Sequence, residues 1–199
     1  MRFFKENSDS IIKLLINQVG VAIFAFFLYT AASVITDGSN ASLGIKIGIS
    51  VFSVLFYFVL IYNIAWEIGA KDKIRIDAKR MENKPLKGLG LGLFANLTNY
   101  IVIGISLILF VVHLSGGPDA FYKIFTFLNA IFRIFVSMYL GIIQGICSPF
   151  ANDLNLYYLW QTILFFVFSI ISALFIFGSY LIGLRDFRIF KSNSQSKNN

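Results

Sequence analysis

Five long apolar segments follow one another along this chain, separated by short polar or glycine-rich stretches. Each is longer than the roughly 20 residues that an α-helix needs to cross a bilayer at 1.5 Å per residue. The pattern predicts an all-α polytopic membrane helical bundle in one domain over residues 1–191, followed by a disordered polar tail at 192–199. The predicted hydrophobic helices cover residues 11–35, 43–70, 89–115, 120–146 and 156–190.

The composition supports a lipid environment for these helices. Hydrophobic residues make up 57% of the chain and charged residues 14%, whereas a soluble domain has about 25% charged residues. A soluble fold of this composition would expose much apolar surface to water. We therefore expect the lipid bilayer to be the main surrounding of the chain. The first segment is expected to be an uncleaved span, since it exceeds the roughly 7–15-residue apolar core of a signal peptide.

Basic residues are concentrated between the second and third predicted helices. The chain has 17 Lys and Arg residues and a net charge of +7. Seven of them fall in this loop: Lys71, Lys73, Arg75, Lys79, Arg80, Lys84 and Lys87. The 37–42 loop has none. Because cytoplasmic loops of membrane proteins collect Lys and Arg, we expect the basic loop and the N-terminus on the cytoplasmic side of a cell membrane.

The same 71–87 loop is a candidate contact for anionic lipid, since clustered basic residues beside a span favour a negatively charged leaflet. A nucleic-acid partner is not expected, because Ile74 and Ile76 interrupt the loop and it has no aromatic residue for base stacking.

The lack of a soluble domain favours a protein partner or a homo-oligomer. Two G-x-x-x-G pairs, Gly44/Gly48 and Gly88/Gly92, are typical of helices that approach closely.

The segment 120–146 has two possible placements. Its length favours a fifth crossing, which would put the basic C-terminal tail outside the cell, against the positive-inside rule. A re-entrant or interfacial placement would return those charges to the cytoplasm. The basic residues concerned are Arg185, Arg188, Lys191 and Lys197. The sequence therefore predicts four firm spans and leaves this segment as spanning or re-entrant.

Polar residues at helical spacing lie on one face of that segment: Lys123, Thr126, Asn129, Arg133, Ser137 and Gln144. A charge at the depth of Arg133 costs roughly 2.5–3.5 kcal/mol on insertion scales, and intramembrane charges commonly mark functional sites. No acidic residue is expected at that depth. We take Arg133, with Asn129 and Lys123, as a candidate site for an anionic ligand. The alternative is a structural or snorkelling arginine.

A second set of polar residues lies near the expected cytoplasmic face. Asn63 and Glu67 share one face of the second helix, and Asn96 and Asn99 share one face of the third. Such residues either join helices through hydrogen bonds, at about 0.6 kcal/mol per contact, or line a polar vestibule centred on Glu67. Glu67 also has a local partner four residues on, Lys71.

The sequence offers little chemistry beyond these positions. Its single cysteine, Cys147, excludes an intrachain disulfide and a multi-cysteine metal site. It has one histidine, His113, and no catalytic, metal-binding or cofactor motif. We therefore predict no catalytic residue, no metal and no cofactor.

Three stretches carry a resemblance to other proteins: Trp66–Asp72, Lys84–Leu89 and Gly92–Asn96. Together they are similar to a pattern in uncharacterised multi-pass membrane proteins of Gram-positive bacteria. The resemblance covers the second helix, the basic loop and the start of the third helix. It implies a bacterial cytoplasmic membrane and no particular activity.

Three hypotheses about function follow. The first is a non-enzymatic accessory, assembly or transport-associated subunit. The alternative is a small transporter or channel for an anionic solute that uses Arg133. The third is a membrane enzyme that acts on lipid or peptide through Glu67, His113 or Cys147.

Overall fold

The computed structural model describes residues 2–35 and 42–185. Within these ranges the chain forms seven α-helices and contains no β-strand, as the predicted all-α membrane bundle requires. The helices are α1 (Arg2–Ile35), α2 (Ser42–Asp77), α3 (Lys87–Ala95), α4 (Leu97–Leu114), α5 (Asp119–Phe135), α6 (Leu140–Cys147) and α7 (Leu154–Leu184). Two short 3₁₀ turns, Ser137–Tyr139 and Ser148–Phe150, precede and follow α6.

Four helices are long and apolar enough to cross a membrane: α1, α2, α4 and α7. Helix α7 packs along α2, and two glycines allow their backbones to touch. A Cβ atom on Gly69 would collide with the carbonyl of Tyr180, and one on Gly183 would collide with the carbonyl of Trp66. We call the end of the bundle that carries the 78–86 loop the basic end, and the other the opposite end. Helix α1 begins, and helix α7 finishes, at the basic end.

The outer helix boundaries differ from the predicted ones mainly in length. Helix α1 begins at Arg2 rather than residue 11 and kinks at Asn7, whose φ and ψ are −124° and 15°. Helix α2 continues to Asp77 rather than residue 70. Helix α7 ends at Leu184, and the rest of the predicted helix to residue 190, together with the predicted disordered tail at 192–199, lies outside the described residues.

The third predicted helix, 89–115, is divided into α3 and α4 at Asn96. The side-chain amide of Asn96 donates a hydrogen bond to the carbonyl of Gly92 at 3.0 Å, a local bond that competes with regular helix geometry. Helix α3 presses against α7, where a Cβ on Gly92 would lie 2.6 Å from the carbonyl oxygen of Ala173. The Gly88/Gly92 pair therefore does bring two helices together, as its spacing predicts.

The fourth predicted helix, 120–146, is also two helices, and its path answers the question that the sequence left open. Helix α5 begins at the opposite end, where the rings of Phe125 and Phe110, near the end of α4, are 4.8 Å apart. It ends deep in the bundle. Just beyond it, the hydroxyl of Ser137 donates to the carbonyl of Ala22 in the middle of α1.

Helix α6 then returns towards the opposite end. The backbone N–H of Gly141 donates to the hydroxyl of Ser50 at 2.7 Å, and Gln144 lies beside Tyr29, near the end of α1. The two helices are bent by 82° relative to each other. Residues 119–150 therefore begin and end on the same side and form a re-entrant hairpin, which we call the hairpin. The contacts favour the re-entrant placement over the crossing that length alone favours.

Candidate functional site

The hairpin carries Arg133 into the interior of the bundle. Arg133 lies in the last turn of α5, one turn before the buried bend at Val136. Its side chain is half-buried, and its Nε atom is buried without a hydrogen-bond partner. The remainder of the guanidinium lies within hydrogen-bonding reach of the Tyr157 phenol, which comes from the first turn of α7.

Three more elements contribute side chains to the same region: α1, α6 and α2. Tyr29 on α1 lies close enough to Arg133 to interact with its positive charge. The hydroxyl of Tyr29 donates to Gln144 Oε1 on α6 at 2.5 Å, and Lys46 on α2 places its Nζ 6.0 Å from the centroid of the Tyr29 ring. We call Tyr29, Lys46, Arg133, Gln144 and Tyr157 the arginine cluster. It joins α1, α2, α5, α6 and α7 in the half of the bundle nearer the opposite end.

The arginine cluster holds two cations and no carboxylate. The ion pairs among the described residues all lie at the basic end, and neither Arg133 nor Lys46 belongs to one. Asp153, an acid at the opposite end, caps α7 by accepting from the backbone N–H groups of Asn155 and Leu156. Arg133 near the phenol hydroxyls of Tyr29 and Tyr157, with Lys46 over the ring of Tyr29, forms a positively charged region that favours a small anion.

Because of the hairpin, the residues of the predicted polar face do not all lie on one helix. Asn129 is buried on the same helix, while Lys123 and Thr126 are exposed near its start. Ser137 lies past the bend and bonds to α1. Gln144 joins Arg133 because the chain folds back, whereas the prediction placed both on one continuous helix.

The second predicted set of polar residues is divided by the structure. Asn96, Asn99 and Gln18 are buried together: Asn99 Nδ2 donates to Asn96 Oδ1 at 3.2 Å, and Gln18 Nε2 donates to the same oxygen at 3.5 Å. Asn63 and Glu67 are exposed and do not join them. Glu67 accepts instead from Lys71 at 2.5 Å. The amides therefore tie α1 to the α3–α4 junction, and the structure does not bring Glu67 into a vestibule with them.

Of the three residues considered for an enzyme, Glu67 lies apart from the other two. Glu67 is at the basic end. His113 lies near the opposite end, with its ring 4.8 Å from that of Tyr122. Cys147 is buried at the end of α6.

One charged group that the sequence analysis did not single out is buried at the basic end. The carboxylate of Asp72 on α2 is 3% exposed and accepts from Lys87 Nζ at 2.7 Å, while the Lys87 side chain is 13% exposed. The hydroxyl of Tyr180 on α7 donates to the same carboxylate oxygen at 2.9 Å. This group, Asp72, Lys87 and Tyr180, joins α2, α3 and α7.

Comparison with known proteins adds no functional evidence, since no family model, no curated protein and no solved structure matches the chain.

Proposed function

We propose that the hairpin binds an anionic group through Arg133 and Lys46, and that the protein is a small, non-enzymatic transporter or channel for an anionic solute. The observation that carries the proposal is that Arg133 and Lys46 both lie near Tyr29 and that neither has a carboxylate partner among the described residues. Burying an arginine is costly, and intramembrane charges therefore mark ion and substrate pathways. Re-entrant backbone at membrane depth is likewise tolerated where it is buried in protein or lines a cavity.

We place the protein in the cytoplasmic membrane of a bacterium, with the N-terminus and the basic end in the cytoplasm. The seven basic residues between 71 and 87 support this orientation by the positive-inside rule. In that orientation the arginine cluster lies in the outer half of the membrane. An anion would then approach it from the outside, through the opposite end.

The test is anion flux through purified protein in liposomes, recorded for chloride, inorganic phosphate and acetate. Arg133→Gln should lower the flux at least tenfold, because the variant removes the positive charge near Tyr29 and Tyr157. Lys46→Gln should act in the same direction. The matched control is Lys123→Gln, which removes the same charge from an exposed position of the same helix and should stay within about twofold of wild type.

The proposal fails if the wild-type protein passes none of the three anions. It also fails if Arg133→Gln and Lys123→Gln behave alike.

A second candidate, an accessory, assembly or transport-associated subunit, is supported by an open glycine face on α2. Gly44 and Gly48 are exposed, and a Cβ atom on either would meet nothing within 4 Å. This G-x-x-x-G pair makes no close contact within the described chain, so it is available to a helix of a partner or of a second copy.

If that face associates, replacing both glycines with Leu should reduce the mass of the complex in mild detergent, as measured by light scattering. Gly104→Leu is the control, since Gly104 on α4 also has open space around it. A wild-type protein that is a monodisperse monomer, and that captures no partner by cross-linking in cells, would rule this candidate out.

A further inference from the structure

A cleft of about 890 Å³ opens at the basic end, between the start of α1, the end of α2 and the loop that leads to α3. The kink at Asn7 turns the first residues of α1 over this loop, and the Asn7 side chain donates to the carbonyl of Phe3 at 2.9 Å. The ring of Phe3 fills the space beside Gly90, and a Cβ atom on Gly90 would lie 2.6 Å from that ring. The cleft therefore has a fixed wall on the α1 side.

The lining of the cleft combines apolar and charged residues. It includes the apolar residues Phe3, Met81 and Leu86, the basic residues Arg75, Lys84 and Lys87, and the acidic residue Glu6. Such a combination fits a molecule that has an anionic head and an apolar body.

Two of the three cations are available to a ligand. Lys87 is held by the buried Asp72 carboxylate at 2.7 Å. Arg75 lies 3.9 Å from the other oxygen of that carboxylate, and its side chain is 64% exposed. Lys84 Nζ lies 3.8 Å from a carboxylate oxygen of Glu82. Both side chains of this pair are exposed, so water and salt screen their attraction. Arg75 and Lys84 can therefore turn to an anion in the cleft without leaving a buried carboxylate unpaired.

The position of the cleft indicates which kind of ligand it can bind. Helix α2 has 36 residues, which gives a length of roughly 54 Å, against a hydrocarbon core of about 30 Å. Its last turns, with Arg75, therefore reach the level of lipid head groups. Exposed apolar side chains lie on the helices next to the cleft, among them Phe4 on α1 and Leu93 on α3. A lipid with its phosphate at Arg75 and Lys84 would lay its acyl chains against that surface.

We infer that this cleft is a binding site for an anionic phospholipid of the leaflet at the basic end, with Arg75 and Lys84 as the groups that hold its phosphate. The site does not depend on the arginine cluster, which lies towards the other end of the bundle. The proposed site assigns the general attraction between a basic loop and an anionic leaflet to two residues, Arg75 and Lys84.

The experiment measures lipid adducts on the full-length protein by native mass spectrometry, from micelles that contain equal amounts of phosphatidylglycerol and phosphatidylcholine. Wild type should retain phosphatidylglycerol at least fivefold more than phosphatidylcholine. The R75Q/K84Q variant should lose that preference. The control K79Q/R80Q removes two charges from the same loop, at exposed positions that do not line the cleft, and should keep the preference.

Because Arg75 and Lys84 are exposed, the double variant should fold, and R75K/K84R, which keeps both charges, should keep at least half of the preference. Three results would overturn the inference. These are no preference in wild type, equal losses in R75Q/K84Q and K79Q/R80Q, or inorganic phosphate that raises the thermal stability of wild type as much as phosphatidylglycerol does.

Discussion

At the scale of single residues, Asp72 combines features that are rarely found together, since it is charged, almost fully buried and close to a membrane surface. Its carboxylate accepts from Lys87 and from Tyr180, so three helices depend on one side chain. Such pairs are costly to break, because the partner left behind is a buried charge without a counter-ion. The nearby pair of Lys73 with Asp77 has the same charges but is exposed.

Asp72→Asn should therefore lower the free energy of unfolding by about 3–5 kcal/mol in detergent. Asp77→Asn should change it by less than about 0.5 kcal/mol, since exposed pairs contribute little. The double variant D72N/K87M should be more stable than D72N alone, because it removes the unpaired ammonium as well. Denaturant unfolding followed by circular dichroism measures all three, and equal effects of D72N and D77N would contradict this role for Asp72.

Part of this residue-level information was present in the sequence. The buried face of α2 runs through Ile61, Ala65, Gly69 and Asp72 at intervals of four, four and three residues, and that spacing marks Asp72 as inward-facing. The high density of Lys and Arg around it instead indicates a solvated loop. The partners of Asp72 could not be predicted, since Lys87 and Tyr180 reach it only through the packing of α3 and α7.

At the scale of helices, the sequence predicts where apolar segments exist far better than where they break. The four spans α1, α2, α4 and α7 each overlap a predicted segment. The bend between α5 and α6 has no proline or glycine, the residues that usually mark a helix end. The residues at that bend are Val136, Ser137, Met138 and Tyr139.

The bend is fixed instead by contacts distant in sequence. Ser137 bonds to the carbonyl of Ala22, and Gly141 bonds to Ser50. Gly141 also has to be a glycine, because a Cβ there would collide with the carbonyl of Lys46. The bond from Gly141 satisfies a backbone N–H just after the break, as a break inside a membrane requires. Local sequence rules describe only neighbours along the chain, so they do not contain this information.

At the scale of the whole molecule, the re-entrant hairpin reconciles the apolar pattern with the charge distribution. With α1, α2, α4 and α7 as the crossing helices, the end of α7 lies at the basic end, beside the 71–87 residues. Arg185 and the basic residues of 71–87 then lie on one side, as the positive-inside rule expects. A fifth crossing would separate them. The path of the hairpin also determines whether Arg133 lies in a re-entrant site or within a membrane span.

The most direct measurement of that path is the labelling of single cysteines in intact cells with a membrane-impermeant maleimide. The native thiol is unsuitable because Cys147 is buried, so Cys147→Ala provides the background. Asn152→Cys reports the exposed turn after the hairpin, and Asn83→Cys reports the exposed basic loop. The account predicts that the first variant is labelled in intact cells and the second only after permeabilisation. Labelling of both from the same side would mean that residues 119–150 cross the membrane, and would contradict the re-entrant hairpin.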